Sequence, residues 1–296
     1  MVNPLAALSD QLANAVSEAS ASTVAILSGG AFVASGVVWK SGIAVTTDHG
    51  LKKGEGKLEV VLPDGSRRDA SLQGRAGGVD VAAVRFDGDV PAPALGDPAA
   101  VRTGQLMLVA GRSLDTGVNA TMGVVSAVSG AWRTWRGGQM DQFIRLDVAL
   151  FPGVNGGAVV NPEGRVVGVA TNALSRIAGV VIPVATVDAA LAGILEGRAS
   201  KPGYLGVGLH EVEYEGRKVP ILLSVMPGGA AAAAGLVVGD LITSINSVAV
   251  EKGVRDVWTQ LTDVGSGKEL KLGIVRGGQA IEVVAVAGER PAEEEE

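Results

Sequence analysis

Hydrophobic and polar positions follow two different rhythms along this chain. Near the N-terminus, leucines and a valine recur at helical spacing after Asn3 and Pro4, which predicts a helix over residues 3–20. Over residues 23–184 the pattern changes to short runs of valine, alanine, isoleucine and leucine, which glycine-rich breaks separate. Many short strands at near-regular spacing are typical of an all-β barrel or sandwich.

A second group of strands begins near residue 205. Before it come a short predicted helix (187–195) and a stretch of small, charged and proline residues (197–203) that indicates a linker. Gly277-Gly278 predicts a hairpin turn between the last two strands. We expect a smaller second domain here, with strands over 205–212, 221–225, 240–245, 269–276 and 279–286 and helices over 230–234 and 254–261.

Composition and charge exclude several classes of function. The formal net charge is −6, and four of the negative charges belong to Glu293–Glu296, so no part of the chain offers the basic surface that nucleic-acid binding requires. With no cysteine and only His49 and His210, the chain cannot form a disulfide, a thiol nucleophile or a multi-histidine metal site. We therefore expect no metal, no cofactor and no nucleic-acid partner.

The apolar segments are too short for a membrane span. No run approaches the ~18 residues that a membrane helix needs, and the N-terminus lacks the basic flank of a secretory signal. As written, the sequence indicates a cytoplasmic protein. A leader removed before residue 1 would instead indicate a periplasmic or membrane-associated one.

Candidate chemistry lies in three separated segments. Asn155 stands between glycines in the run 151–157, and such a turn can direct successive backbone N–H groups at one point, as an oxyanion hole does. His49 ends an apolar strand, and Asp80 begins another. Histidine, then aspartate, then a polar residue within glycines is the chain order of the chymotrypsin-like triad. The sequence therefore predicts that these three side chains meet in one hydrolase-shaped cleft.

These motifs and the segments between them resemble the HtrA/DegP family over about residues 22–288. The segments that carry the resemblance are Leu95–Asp97, Gly104–Gly111, Met122–Ser126, Phe143–Ala149, Gly164–Val169 and Val181–Pro183. The resemblance implies a mainly β protein, a chymotrypsin-like double β-barrel followed by a PDZ domain. The implied domains are an N-terminal helix (1–21), a protease domain (22–196), a linker (197–203), a PDZ domain (204–288) and an acidic tail (289–296).

One departure from the family decides the expected mechanism. Where the family has serine in its Gly-x-Ser-Gly-Gly turn, this chain has Asn155, whose amide nitrogen is a poor nucleophile because its lone pair is delocalised. Losing the nucleophile of a serine protease lowers kcat by about 10⁶-fold. We expect a serine endopeptidase scaffold for unfolded or misfolded proteins that is inactive as written. Two interpretations stay open: a natural pseudoprotease that binds peptides or unfolded chains in a chaperone-like or regulatory role, and a competent protease with a substituted nucleophile.

The resemblance also implies roles for neighbouring residues. Backbone N–H groups of Gly153 and Asn155 would form the oxyanion hole. Ala149 would lie at the base of a specificity pocket that favours small or medium apolar side chains, and Thr171 and Asn172 would line its wall. A further segment contains Trp132, Arg133, Trp135 and Arg136, and is either a sensing loop near the site or a solvated loop with cation–π pairs.

The second domain is expected to bind peptides. Tyr204, Leu205, Gly206 and Val207 resemble the carboxylate-binding loop of PDZ domains, in which backbone N–H groups capture a C-terminal carboxylate. An exposed strand edge beside that loop would accept the peptide as an added strand, and the helix over 254–261 would form the other wall. The groove would include Leu209 and Trp258. The implied partners are unfolded polypeptides and protein C-termini. The family commonly assembles as trimers, which implies a homotrimer, although the N-terminal segment lacks the aromatic residues that such trimers often use.

Overall fold

The computed structural model describes residues 3–52, 56–175, 177–197, 203–251 and 253–288. The chain divides into two compact units, and the division falls within the predicted linker 197–203. Most of that linker (198–202) and the predicted acidic tail (289–296) lie outside the described residues. The proposed domain boundaries therefore stay predictions, and each unit is described by itself.

The first unit begins with helix α1 (Pro4–Ser20), where the apolar spacing predicted it. The Asn3 side chain accepts a hydrogen bond from the backbone N–H of Leu5, and Pro4 occupies the first helical position. Ala15 and Ala19 on its inner face are buried in the largest apolar cluster of the unit. Tertiary packing of this face therefore stabilises the helix, and its outer leucines stay exposed.

Two closed six-stranded barrels follow and confirm the predicted double β-barrel. The first has strand order β1-β2-β3-β6-β5-β4, and a short helix, α2 (Asp48–Lys52), follows its third strand. Its strands are β1 (Thr23–Ser28), β2 (Ala31–Lys40), β3 (Ile43–Thr47), β4 (Leu58–Val61), β5 (Arg67–Ala76) and β6 (Val81–Phe86).

The second barrel has strand order β11-β14-β13-β12-β7-β8. A separate two-stranded ribbon, β9 (Trp132–Arg133) and β10 (Gln139–Met140), lies between two of its strands along the chain. The barrel strands are β7 (Leu106–Ser113), β8 (Gly117–Ser129), β11 (Phe143–Asp147), β12 (Ala158–Val160), β13 (Val166–Thr171) and β14 (Gly179–Pro183).

The barrel strands show continuous apolar runs instead of clean alternation because many are buried on both faces. Every residue of β1, β3, β13 and β14 is buried. Each barrel has its own cluster of buried apolar side chains. A third cluster, which contains Val45 and Ile182, joins residues of both barrels. The closing helix α3 (Val184–Leu195) begins three residues earlier than predicted, because Val184 is also buried and Pro183 is its N-cap.

The described residues of the second unit form a six-stranded antiparallel sheet and two helices. The strand order of the sheet is β15-β16-β17-β19-β20, and β18 pairs with β17. The strands predicted over 269–276 and 279–286 are confirmed. The elements are β15 (Val207–Tyr214), β16 (Arg217–Val225), α4 (Ala230–Ala233), β17 (Leu241–Ile245), β18 (Val248–Ala249), α5 (Val254–Val264), β19 (Glu269–Arg276) and β20 (Gln279–Val286).

The first hairpin of this unit corrects the sequence prediction. Strands β15 and β16 extend to a two-residue turn, Glu215-Gly216, whereas the prediction ended the first strand at 212 and began the second at 221. Both turn residues have positive φ, which matches the right-handed twist of the paired strands. Glutamate in the first position of such a turn gives little signal in a sequence, so the hairpin was missed.

An ion pair between a buried carboxylate and a partly exposed arginine stabilises the second unit. Asp240 is fully buried, and its carboxylate accepts two hydrogen bonds from the Arg276 guanidinium (2.7 and 2.8 Å) and one from the Val237 backbone N–H (2.9 Å). These bonds, that from Arg276 above all, hold the pKa of Asp240 below its ordinary value. Arg276 also donates to the carbonyl of Gly235, so the pair joins β19 to the loop after α4.

We predict that Asp240→Asn lowers the free energy of unfolding of the second unit by about 1–3 kcal/mol at neutral pH, since the charged acceptor is lost. Because the folded state depresses the pKa of Asp240, the wild-type advantage is present above the ordinary carboxyl pKa and disappears as pH falls through the folded value. Urea unfolding at pH 7 and near pH 3, monitored by amide hydrogen exchange, measures the difference in unfolding free energy between the wild type and the variant. Glu282→Gln, an exposed control, should change little at either pH. An equal deficit of Asp240→Asn at both pH values would contradict the assignment.

Candidate active site

A glycine-rich turn lies where the two barrels meet. Residues Pro152–Val154 form a single 3₁₀ turn, and Asn155 follows it. A Cβ atom at Gly156 would overlap the carbonyl oxygen of Ser35 in β2, and one at Gly157 would overlap that of Ala110 in β7. Gly156 also has φ +83°, which favours glycine. These positions require glycine because the turn is pressed against strands of both barrels.

His49 and Asp80 meet as the sequence predicted. The His49 Nδ1–H donates to Asp80 Oδ2 at 2.8 Å, and the His49 backbone N–H donates to Oδ1 at 2.9 Å. Asp80 is fully buried, and its backbone has φ +59°, a left-handed conformation that aspartate tolerates better than most residues. Two bonds from one residue to one carboxylate therefore hold the imidazole ring in a single orientation.

Asn155 completes this cluster. Its Nδ2 lies 2.9 Å from His49 Nε2, and its Oδ1 accepts the backbone N–H of Asn172 at 3.2 Å. The bond from Asn172 identifies the amide oxygen, so Nδ2 is the atom that faces the imidazole. Since Nδ2 only donates, His49 Nε2 accepts and carries no proton, while Nδ1 carries the proton shared with Asp80. The amide and the carboxylate together select one tautomer.

Thr171 supports Asp80, a role that the sequence analysis missed. Its Oγ1 donates to Asp80 Oδ2 at 2.6 Å, and the whole residue is buried. The Thr171 side chain faces the carboxylate in this structure, and its role in the wall of a specificity pocket stays a prediction. A threonine at the end of an apolar strand gives no signal of this role in one sequence.

The other predicted pocket residues lie at the surface. Ala149 and Asn172 are both exposed. Leu150 packs against the core of the second barrel beside Gly179, where a Cβ would lie 3.0 Å from its side chain. Because Leu150 is turned inward, the preceding residue is left at the surface. A pocket base at Ala149 and a wall at Asn172 stay predictions.

One of the two predicted oxyanion donors, the Asn155 N–H, is already bonded within the turn. The backbone N–H groups of Asn155 and Val154 both donate to the Phe151 carbonyl, at 3.2 and 3.0 Å. Gly153 and Asn155 therefore do not present two open donors, as the sequence analysis expected. The reason is local, since the Phe151 carbonyl accepts the 3₁₀ bond of Val154, three residues later, and the bond of Asn155, four residues later.

The second unit has an open backbone loop at the predicted carboxylate site. Leu205 and Gly206 have backbone N–H groups for which no acceptor exists in the part of the chain that the structure describes. Their carbonyls are bonded to Ala231 and Met226, which holds the loop in place. Gly206 has φ +73°, a left-handed backbone conformation that suits glycine and sets the direction of its N–H.

A groove wall lies on each side of this loop. Strand β15 is at the edge of its sheet and pairs with β16 alone among the described strands. Leu209 on β15 and Trp258 on α5 are both half-buried against the core of this unit. Tyr204 pairs with Gly288 through both backbone groups, which anchors the beginning of the loop to the end of the sheet.

Comparisons with known proteins agree with this architecture. The model of the trypsin-like peptidase domain matches residues 34–169, and that of the PDZ domain matches residues 221–276. A probable periplasmic serine endoprotease DegP-like from Brucella suis is 29% identical over 267 residues, which cover 83% of this chain and 50% of that protein. The periplasmic pH-dependent serine endoprotease DegQ of Escherichia coli K12 is 26% identical, over 82% of this chain and 56% of that protein. The chain thus spans about half the length of the curated relatives it matches.

Solved structures show the same two-part fold. The HtrA-type protease AlgW with a decapeptide superposes with a TM-score of 0.71 at 26% identity, covering 95% of this chain and 99% of that one. The serine endoprotease from Yersinia pestis gives 0.70 at 26% identity, covering 95% and 98%. In this chain, none of the described helices is long and apolar enough to span a bilayer.

We predict that the Asn155-Gly156 pair resists deamidation while the protein is folded. Deamidation needs the Gly156 nitrogen to attack Asn155 Cγ, but that N–H donates to the Ala170 carbonyl at 2.8 Å, and His49 and Asn172 hold the side-chain amide. Peptide mass spectrometry after ageing at mildly alkaline pH should find the amide intact in native protein and converted in a urea-unfolded control. Equal conversion in both samples would show that the turn opens readily.

Proposed function

We propose that this HtrA/DegP-like chain, a trypsin-like peptidase scaffold followed by a PDZ domain, binds unfolded polypeptides and protein C-termini without hydrolysing them. The observation that carries the proposal is the 2.9 Å contact between Asn155 Nδ2 and His49 Nε2. A serine protease needs a hydroxyl at this point, whose proton the imidazole removes as the oxygen attacks the substrate. Here the imidazole faces an amide.

The amide supplies no substitute for that hydroxyl. Its nitrogen lone pair is delocalised, and its oxygen accepts the backbone N–H of Asn172. Removing the nucleophile of a serine protease costs about 10⁶-fold in kcat, or roughly 8 kcal/mol of barrier. What remains of such a site is binding and charge stabilisation, and these alone are too weak to cleave peptide bonds at a useful rate.

The closed turn supports the same conclusion independently. With the Asn155 N–H bonded to Phe151, a substrate carbonyl would find only part of the usual donor pair. Freeing the Asn155 N–H for a substrate requires breaking its bond to that carbonyl. The chain therefore lacks two features of an acting endopeptidase in this conformation: the attacking oxygen and the prepared oxyanion site.

Exposed apolar side chains support a role in binding extended polypeptide. Phe151 begins the glycine-rich turn and is 42% exposed, and Trp135 is 70% exposed while its Nε1–H donates to the Ala173 carbonyl beside Asn172. Ile177, on the same segment as Ala173, is exposed as well. Large exposed apolar groups near one site are typical of surfaces that contact another chain.

Peptide binding by the second unit rests on its loop. The unbonded N–H groups of Leu205 and Gly206, next to an edge strand, are what capture of a C-terminal carboxylate requires. The peptide-bound AlgW structures have the same overall fold, which supports this assignment. A periplasmic setting is supported by the descriptions of the curated relatives. Assembly as a homotrimer stays a prediction.

A second candidate is a serine endopeptidase that lacks only its nucleophile. It is favoured by the intact arrangement of His49, Asp80 and Thr171, which would still orient the imidazole toward a serine at position 155. The two candidates predict the same inactive wild-type chain. They differ in what a serine at this position would restore.

We predict that the wild type binds unfolded casein without cleaving it and does not react with a fluorophosphonate probe. Asn155→Ser should gain labelling at residue 155, and recovered casein cleavage would favour the second candidate. Its absence would indicate wider loss of function, with the closed turn as the physical cause. The matched control, Asn155→Ser combined with His49→Ala, should lose the labelling because the base is gone. Labelling or casein cleavage by the wild type would contradict the inert assignment.

We further predict that a fluorescent peptide with a free C-terminus binds the full chain, whereas its amidated form binds at least about tenfold more weakly. Gly206→Ala should lower this affinity, because a Cβ there would lie 3.2 Å from that of Met226 and strain the loop. Gly216→Ala is the matched control, since it has the same φ of +73° in open space. Fluorescence anisotropy measures both. Equal binding of acid and amide peptides would remove the carboxylate loop from the proposal.

A further inference from the structure

Arg112 is a buried arginine that neither the cleft nor the peptide loop uses. It lies on β7 and is only 9% exposed. Its Nε–H donates to the Thr23 carbonyl at 3.0 Å, and its Nη2 donates to the Ser20 carbonyl at 3.2 Å. The Ser20 carbonyl lies at the C-terminal end of α1, where the helix dipole favours a positive charge, and the Thr23 carbonyl belongs to the first residue of β1.

The guanidinium makes no direct ion pair within the described residues. Among the described residues, no aspartate or glutamate lies within ion-pair distance of Arg112. A guanidinium has five N–H donors, and the described part of the chain provides acceptors for those on Nε and Nη2 only. Burial lowers the pKa of Arg112, whereas the charge of Asp64 acts in the opposite direction. A buried charge that makes no direct ion pair is unfavourable, so the site can gain stability from an anion.

An open cavity of about 450 Å³ lies beside this side chain. It is lined by one face of α1 (Ala13, Val16, Ser17 and Ser20) together with Arg112 and Val118. The Ser20 hydroxyl already donates to the Val16 carbonyl, whereas the Ser17 hydroxyl makes no hydrogen bond within the described residues. The lining is thus one cation, one available hydroxyl and several aliphatic groups.

We propose that Arg112 and this cavity form a binding site for a small alkyl carboxylate. The planar guanidinium fork matches the two oxygens of a carboxylate, and the Ser17 hydroxyl can donate a further bond. The alkyl group would pack on Val16 and Val118. A phosphate or sulfate fits less well, because the aliphatic lining leaves most of its oxygens without donors. The lining shares no residue with either site of the proposed function, and the inference does not depend on that proposal.

The site is connected to the glycine-rich turn through Ser35. The Ser35 hydroxyl accepts the Arg112 backbone N–H at 2.9 Å and shares its proton between the carbonyls of Arg112 and Gly153, each at 3.0 Å. The Ser35 backbone N–H donates to the Asn155 carbonyl at 3.0 Å. A shift of Arg112 on binding a ligand is therefore transmitted to the turn that contains the closed oxyanion donors.

Amide and arginine Nε–H NMR spectra of the full chain, titrated with sodium butyrate, test the proposal. We expect a saturable shift of the Arg112 Nε–H and Ser17 signals, and none with butyramide, the neutral isostere. The Gly153 and Gly156 amide signals should follow the same saturation curve. If they stay still while Arg112 responds, the connection through Ser35 is wrong. A short peptide with a free C-terminus, titrated in parallel, separates the sources: a shift at Arg112 assigns the site to peptide termini as well as free acids.

The variants supply the controls. Arg112→Met should abolish the saturable response, and Arg67→Met, an exposed arginine on β5, should keep it. If Arg112→Met fails to fold, Arg112→Lys keeps the charge without the planar fork and should weaken butyrate binding by about tenfold. The proposal is overturned if the wild type shows no saturable shift at Arg112, if the response persists in a folded Arg112→Met protein, or if butyrate shifts only the Leu205 and Gly206 amides of the peptide loop.

Discussion

One buried carboxylate ties the two barrels together at the cleft. Asp80 accepts hydrogen bonds from the ring and the backbone of His49 next to the first barrel, and from the hydroxyl of Thr171 in the second. A buried charge is tolerated only when such donors surround it, so the arrangement is a requirement of the fold. It orients the imidazole whatever residue occupies position 155. A hydrolase-shaped cleft therefore persists here without an attacking hydroxyl.

Asn155 fits this cleft because its amide satisfies both of its neighbours. Nδ2 donates to the imidazole, and Oδ1 accepts the backbone N–H of Asn172. Both ends of this largely buried polar side chain are therefore paired. Two backbone N–H groups of the same turn donate to the Phe151 carbonyl. The glycines of the turn pack closely against Ser35 and Ala110. The turn therefore accommodates Asn155 without leaving its side chain unpaired, whatever the activity of the site.

Much of the fold could be predicted from the sequence because strands that are buried on both faces appear in it as continuous apolar runs. Apolar runs between glycine-rich breaks predicted the barrel strands, and Gly277-Gly278 predicted the last hairpin correctly. The Glu215-Gly216 turn was missed because its first residue carries no turn signal, although its backbone has positive φ. The early start of α3 was missed because burial of Val184 depends on packing against other elements.

The sequence by itself determined which residues are available for chemistry: one histidine and one aspartate in triad order, and an asparagine where a nucleophile would stand. Only the tertiary structure decided their relations. It turned Thr171 toward Asp80, left Ala149 at the surface, closed the oxyanion turn and buried Arg112 without a carboxylate partner among the described residues. Residue order along the chain records identity and spacing, whereas a hydrogen bond also depends on the direction of each group, which is set when distant strands pack.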